Sequence, residues 1–215
     1  MKTKQSGFTL VEIAIVLVII GLLLGGVMKG QELIINARAK SAVKDMDGVI
    51  SAFNAYVDRY RRLPGDDGPI ATLQARGGAW TTVTLAGNNN GVLAIAAAQT
   101  FNGGGEQANI WQHLRAAGFI NGDHTLTAAA ALPINAFNGL TGITAVGVTG
   151  MTGNVICMSQ VPGKAAATMD SQLDNGLPNT GSVMATTGAA GANTAPAAAA
   201  TAYVETAVYT VCRTL

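Results

Sequence analysis

An uninterrupted apolar run, residues 13–28, constrains the fold of this chain more than any other stretch. Counted from Phe8, the apolar segment contains a single charged residue, Glu12. At 1.5 Å per residue, a helix over residues 8–28 is about 31 Å long, which matches a hydrocarbon core of about 30 Å. The sequence therefore predicts that residues 8–28 form a helix that spans a membrane.

Residues 1–7 carry Lys2 and Lys4 and no acidic residue. Basic residues favour the cytoplasmic side of a membrane, so the chain from Lys29 onwards is predicted to lie on the opposite side. A secretory signal has its cleavage site after the apolar region, whereas here the small residue Gly7 precedes it. Cleavage at Gly7 would therefore leave the apolar run on the mature protein.

Glu12 is the unusual residue of this segment, because a carboxylate at the centre of a membrane span costs about 2.5–3.5 kcal/mol and less near the interface. One interpretation is that Glu12 lies at the depth of the lipid headgroups and stays solvated. The other is that Glu12 pairs with a cation. Cleavage after Gly7 would create one, the free amine of Phe8, in the same helix or in a neighbouring subunit.

Residues 7–12, GFTLVE, together with the apolar run after them, resemble the class III signal of type IV pilins and type II secretion pseudopilins. The resemblance implies that a prepilin peptidase cleaves between Gly7 and Phe8 and that Phe8 is N-methylated. It also implies that Glu12 pairs with the Phe8 amine of a neighbouring subunit during filament assembly.

Downstream of the span the pattern becomes amphipathic. Apolar residues at alternating spacings of three and four predict one face of a helix that continues from the span to about Arg62. This face packs either into the chain's own head or into a coiled-coil dimer, and it consists of Val43, Met46, Ile50, Phe53, Val57 and Tyr60. The predicted division of the chain is a leader (1–7), a membrane and assembly helix (8–28), an amphipathic helix (29–64) and a globular head (65–215).

The head has the turn-rich, alternating pattern of short strands. Strands are predicted over residues 80–85, 92–97, 143–148, 155–159 and 203–213, although 92–97 also suits a helix. Helices are predicted over residues 106–117 and 164–173, and residues 185–202, which are almost entirely Ala, Thr and Gly, are predicted to form a surface loop. The fold class is therefore α+β: a long N-terminal helix packed on an antiparallel sheet of about four to six strands, as in pilins.

Cys157 and Cys212 lie in two of these predicted strands. In an oxidising periplasm they are predicted to form a disulfide that closes a loop of about 55 residues. Two buried free thiols are the alternative.

Two acidic turns contain the candidate cation ligands. Asp66 and Asp67 lie in a predicted solvated turn whose spacing does not match an EF-hand loop. Asp170 and Asp174 are weak calcium candidates, by resemblance to an acidic loop of some pseudopilins, and the alternative is that they belong to a capped helix and turn. No cofactor is otherwise predicted. His113 and His124 have no metal-ligating residues at the required spacing, and both are predicted to lie at the surface.

The remaining features favour a structural function over catalysis or nucleic-acid binding. The net charge is +1 and aromatic residues make up 5% of the chain, so neither charge nor stacking surfaces indicate a nucleic-acid partner. No CxxC, HExxH or G-x-S-x-G motif indicates an enzyme.

The resemblance implies a prepilin inserted in the bacterial inner membrane with a periplasmic head, which polymerises with other pilin subunits into a type IV pilus. The size of the head and its Gly- and Asn-rich loops favour a minor pilin. The alternatives are a pseudopilin of a type II secretion system and a single-pass anchored binding protein or adhesin that does not polymerise.

Overall fold

A computed structural model describes residues 9–215, which divide into two compact units, one ending at Ala37 and one formed by Arg38–Leu215. The helices are α1 (Leu10–Tyr60), α2 (Ile70–Gln74), α3 (Gln107–Ala116) and α4 (Gly163–Leu173). The strands are β1 (Thr141–Thr144), β2 (Val155–Pro162), β3 (Val183–Gly188) and β4 (Val208–Thr214). Short 3-10 turns occupy Gly78–Thr82, Ala97–Gln99 and Ala128–Ala131.

The first unit contains the apolar part of α1, the one helix in the described chain that is long and apolar enough to cross a membrane. Its large side chains are exposed all around the helix, for example Leu22 and Met28, which are each 72% exposed. A helix that is apolar on every side needs lipid or other helices around it.

In the second unit, α1 buries one face in the head, and this face differs from the predicted one. Met46 and Phe53 are buried as predicted, but Val43, Ile50, Val57 and Tyr60 are only half-buried. The buried face is rotated relative to the predicted one and includes three alanines and a tyrosine. It consists of Ala39, Ala42, Met46, Ala52, Phe53 and Tyr56. Alanine lets the helix backbone approach its neighbours closely, which a pattern based on large apolar residues does not reveal.

Helix α1 ends at Tyr60, two residues before its predicted end at about Arg62. Arg61 has a φ of 55°, in the left-handed region, and its N–H donates to the carbonyl of Val57 at 2.8 Å. A left-handed residue just after the last helical turn is a common helix end. The proline at position 64 therefore follows the end of the helix and does not cause it.

The four strands form one antiparallel sheet in the order β1-β2-β4-β3, within the predicted range of strand number. Both sheet edges are covered. On β3, Ala185 donates to the carbonyl of Pro178 and accepts from Ala200, and on β1 the N–H of Thr141 donates to Pro133. Covered edges prevent a second chain from adding a strand to this sheet.

Two of the predicted strands are wrong. Residues 80–85 form part of a 3-10 turn followed by irregular chain, because the side chain of Gln112 accepts hydrogen bonds from Thr84 and Leu85 in place of a partner strand. Residues 92–96 are also irregular and Ala97 begins a 3-10 turn, so neither the strand nor the α-helix predicted there forms.

The loop predicted over residues 185–202 is partly wrong, because its first residues belong to strand β3. Residues 183–186 of this strand are buried against β4 and its surroundings despite their small side chains. The sequence correctly predicts the positions of helices α3 and α4 and of strands β2 and β4, although β2 extends to Pro162 and β4 begins only at Val208. Strand β1 begins two residues before its predicted start and already ends at Thr144.

Candidate functional site

The first turn of α1 holds the acidic residue of the apolar segment. The carboxylate of Glu12 accepts hydrogen bonds from the backbone N–H and the hydroxyl of Thr9, both at 2.8 Å. In return, the N–H of Glu12 donates to the Thr9 hydroxyl at 3.3 Å. This reciprocal pair is a capping box, which satisfies two N–H groups at the start of a helix.

The two residues of the predicted cleavage site, Gly7 and Phe8, lie outside the described residues. The pairing of Glu12 with a Phe8 amine stays a prediction for the same reason. Within the described chain, the Glu12 carboxylate is exposed and caps its own helix.

Cys157 and Cys212 face each other across β2 and β4 and form a disulfide, as predicted. Their Cα atoms lie 4.0 Å apart, and both residues are fully buried. The disulfide therefore joins the two central strands of the sheet.

The acidic turn after α1 is buried, so the prediction of a solvated turn is wrong. Asp66 and Asp67 are each 2% exposed. The Asp66 carboxylate accepts from the N–H groups of Asn90 and Gly91, at 3.0 and 2.7 Å. Within residues 9–215, no group of three or more His, Cys, Asp or Glu residues is arranged to hold a metal ion.

Asp67 lies at the centre of a buried network that ties α1 to the head. Its carboxylate accepts from the Tyr56 hydroxyl at 2.7 Å and pairs with Arg76 at 2.7 Å. The guanidinium of Arg76 also lies over the rings of Tyr60 and Trp80, at 4.3 and 4.6 Å from their centroids. Burial and the bond to Asp67 raise the pKa of Tyr56, which therefore stays protonated and keeps donating.

Replacing Tyr56 by phenylalanine is expected to lower the free energy of unfolding by about 1.5–3 kcal/mol, because the Asp67 carboxylate loses a hydrogen bond in a buried position. The matched control is Tyr60→Phe, since the Tyr60 hydroxyl makes no hydrogen bond to any residue between 9 and 215. Urea unfolding of the full-length protein in detergent measures both variants. Equal losses in the two variants would contradict the role given to the Tyr56 hydroxyl.

His113 is fully buried, so its predicted surface position is wrong. Its Nδ1 accepts a hydrogen bond from the N–H of Gly65 at 3.0 Å, so the ring proton is on Nε2. The Nε2–H then donates to the carbonyl of Leu85 at 3.0 Å. Burial lowers the pKa of His113 to about 4. His124 is half-buried and contacts the hydroxyl of Thr82 at 2.7 Å.

The low pKa of His113 predicts a dependence of stability on pH. In the unfolded chain the pKa of histidine is about 6.5, so the unfolded state binds the proton first as the pH falls. Stability is therefore highest above pH 6.5 and decreases by up to about 3 kcal/mol towards pH 4. Below about pH 4 the folded protein binds the proton as well, and the decrease stops.

The variant His113→Gln keeps a donor and an acceptor but cannot titrate, so its stability should fall less between pH 7 and 4. The difference between the two pH profiles isolates His113 from acidic groups such as Glu106, whose pKa burial raises. Parallel profiles for the variant and the original protein would contradict this prediction.

The weak calcium candidates, Asp170 and Asp174, each stabilise a turn of the head. Asp170 is fully buried, and its carboxylate accepts from the N–H of Gly176 at 2.9 Å and from the Tyr203 hydroxyl at 2.7 Å. Asp174 is exposed and accepts from the N–H of Val183 at 3.2 Å. Both carboxylates thus already bond to this chain, and calcium binding here stays a prediction.

Comparison with known proteins identifies the N-terminal segment. A family model described as the prokaryotic N-terminal methylation motif matches residues 2–28. No curated protein matches the chain, and no solved structure matches it. The match covers the leader and the apolar part of α1, and the motif is a substrate signal of prepilin peptidase. Residues 2–28 therefore carry the N-terminal signal of type IV pilins and pseudopilins.

Proposed function

We propose that this chain is the precursor of a minor pilin, cleaved after Gly7, methylated on Phe8 and polymerised into a type IV pilus through its N-terminal helix. The observation that carries the proposal is the methylation motif at residues 2–28 on a helix whose apolar side chains are exposed on every side. Before assembly, lipid of the inner membrane covers these side chains. In the filament, the helices of other pilin subunits cover them.

Glu12 has a separate role in each of these two states. In the membrane its carboxylate is held by Thr9 of the same chain, through the capping box. During assembly it exchanges these bonds for the Phe8 amine of a neighbouring subunit. The exchange neutralises two charges in an apolar surrounding and fixes the axial register of the two helices.

The sheet of the head supports assembly through the helix. The covered edges of the sheet disfavour polymerisation by strand addition. The head then has no catalytic role and no cofactor, and it lies in the periplasm before assembly and on the pilus afterwards. A pseudopilin that serves a type II secretion system has the same N-terminal chemistry and is the second candidate.

Filaments sheared from cells test this function directly. The chain is expected in the sheared filament fraction, together with other pilin subunits, and its amount there should fall when prepilin peptidase is deleted. A pseudopilin would instead stay with the cell, and its deletion would block protein secretion. An anchored binding protein would stay in the membrane fraction under all conditions, which would contradict the proposal.

A further inference from the structure

Asparagine is followed directly by glycine five times in this chain, at residues 90, 102, 121, 138 and 175. In such a pair the backbone nitrogen of the glycine is able to attack the side-chain amide carbon of the asparagine, because glycine has no Cβ that obstructs the approach. The attack requires an asparagine side chain that is free to turn and a glycine N–H that is not held by an acceptor. The fold therefore determines which of the five pairs react.

In three of the pairs a side chain of the head already holds the glycine N–H. The hydrogen bonds are 2.7 Å long from Gly91 to Asp66, 3.1 Å from Gly139 to Asn135 and 2.9 Å from Gly176 to Asp170. Each nitrogen must leave its acceptor before it attacks, and two of the three acceptors are carboxylates, to which hydrogen bonds are stronger. The fold therefore protects these three pairs.

Asn102 is held through its side chain instead. Its Oδ1 accepts from the N–H of Gly104 at 2.8 Å, and its Nδ2 donates to the carbonyl of Ala98 at 3.2 Å. The backbone of Gly103 is also tightly packed, since a Cβ built on it would clash with the carbonyl of Ala128. The Asn102 amide therefore cannot turn towards the nitrogen of Gly103 without breaking both of its hydrogen bonds.

The pair formed by Asn121 and Gly122 is free in both respects. Both residues are exposed and lie in irregular chain that follows α3. Within residues 9–215, neither the side chain of Asn121 nor the N–H of Gly122 makes a hydrogen bond. Exposed backbone without hydrogen bonds moves most easily, so the nitrogen of Gly122 is able to reach the side chain of Asn121. The exposure of this pair also admits water.

We propose that Asn121 deamidates spontaneously in the folded protein, faster than any of the other four asparagines that precede a glycine. The nitrogen of Gly122 forms a bond to the Cγ of Asn121, the Cγ–Nδ2 bond breaks, and Nδ2 leaves as ammonia with the proton of the Gly122 N–H. Water then opens the resulting succinimide ring at either carbonyl, which gives aspartate or isoaspartate at position 121. The net reaction consumes water, releases ammonia and needs no oxidant, reductant or enzyme.

The reaction changes the surface to which Asn121 belongs. This surface lines a cavity beside α1 and also carries Lys44, Asp45 and Arg115, so the new acid brings it from two cations and one anion to two of each. In the isoaspartate product the Cβ of residue 121 enters the main chain and lengthens the segment before Gly122. A Cβ built on Gly122 lies 2.8 Å from the Nε of Arg115, so the Arg115 side chain packs against the lengthened segment. The modification therefore alters both charge and packing on this side of the head.

Mass spectrometry of the full-length protein in detergent measures all five rates in one sample. The protein is incubated at mildly alkaline pH and digested at acidic pH, where the attack does not proceed, and fragment spectra then locate each acid. Asn121 is expected to convert at least about tenfold faster than any of the other four asparagines, because those pairs must first break hydrogen bonds of the folded head. Conversion at another pair as fast as at Asn121 would overturn the inference.

The same measurement in urea separates the fold from the local sequence. Unfolding releases the four protected pairs, so their rates should rise to approach that of Asn121. If Asn121 keeps its full advantage in urea, the local sequence sets the rate and the structural argument is wrong.

The variant Asn121→Gln provides the matched control. Ring closure from glutamine forms a larger ring and is slower, so the acid at position 121 should no longer accumulate. The rates at the other four pairs should stay unchanged, which shows in the same sample that the head remains folded. Acid that forms at position 121 as fast in this variant as in the original protein would contradict attack by the Gly122 nitrogen.

Discussion

Replacing Glu12 by alanine is expected to remove this protein from filaments while leaving it in the membrane. Membrane insertion should improve slightly, because a carboxylate is unfavourable in an apolar segment. Incorporation into filaments should fall at least about tenfold, since the Phe8 amine of the neighbouring subunit then has no counter-charge in a water-poor surrounding. Immunoblots of the membrane fraction and of the sheared filament fraction measure the two effects in one culture.

A second variant separates the charge of Glu12 from its hydrogen bonds. Glutamine also completes a capping box with Thr9, so Glu12→Gln keeps the first turn of the helix intact but cannot neutralise an amine. We expect this variant to fail in assembly like the alanine variant. If Glu12→Gln assembles normally and Glu12→Ala does not, then the cap matters and the charge pairing is wrong.

Removing the disulfide is expected to have the largest effect on the stability of the head. The double variant Cys157→Ala with Cys212→Ala opens a link with a sequence separation of 55 residues. A loop of this length corresponds to about 3–4 kcal/mol of stabilisation in the chain-entropy treatment. The link also joins the two central strands, so its loss should expose β3 and β4 to proteolysis.

Urea unfolding of the full-length protein in detergent, with and without the two cysteines, measures this effect. Because both sulfurs are fully buried, mild reductant on the folded protein should leave the bond intact and serve as the control. A loss of less than about 1 kcal/mol would mean that the sheet is held by its packing and that the disulfide contributes little.

The elements that could be predicted from the sequence are those specified by local patterns. The apolar run and its helix, helices α3 and α4, and the two cysteine-bearing strands follow from periodicity within ten or so residues. Strand β3 could not be predicted, because its small residues become a strand only through pairing with β4. The irregular chain at Thr84 and Leu85 depends in the same way on Gln112, which is distant in the sequence.

The polar core of the head was mispredicted for a related reason. Asp66 and Asp67 are polar residues in a turn, His113 is a polar residue of a helix, and local composition favours the surface for such residues. Their partners lie far away in the chain: His113 bonds to Gly65, and Asp66 bonds to Gly91. Only the folded chain brings these groups together. Glu12, by contrast, could be identified as a candidate site residue from the sequence, because Gly7 and the apolar run lie within a few residues of it.

The mass of the N-terminal peptide tests the central claim most directly. The chain is purified from the membrane and from sheared filaments, digested, and its N-terminal peptide is measured by mass spectrometry. We expect both forms to begin at Phe8 and to carry one methyl group on its amine. A chain that retains residues 1–7 in filaments, or one cut beyond residue 28, would contradict an assembly helix generated by cleavage after Gly7.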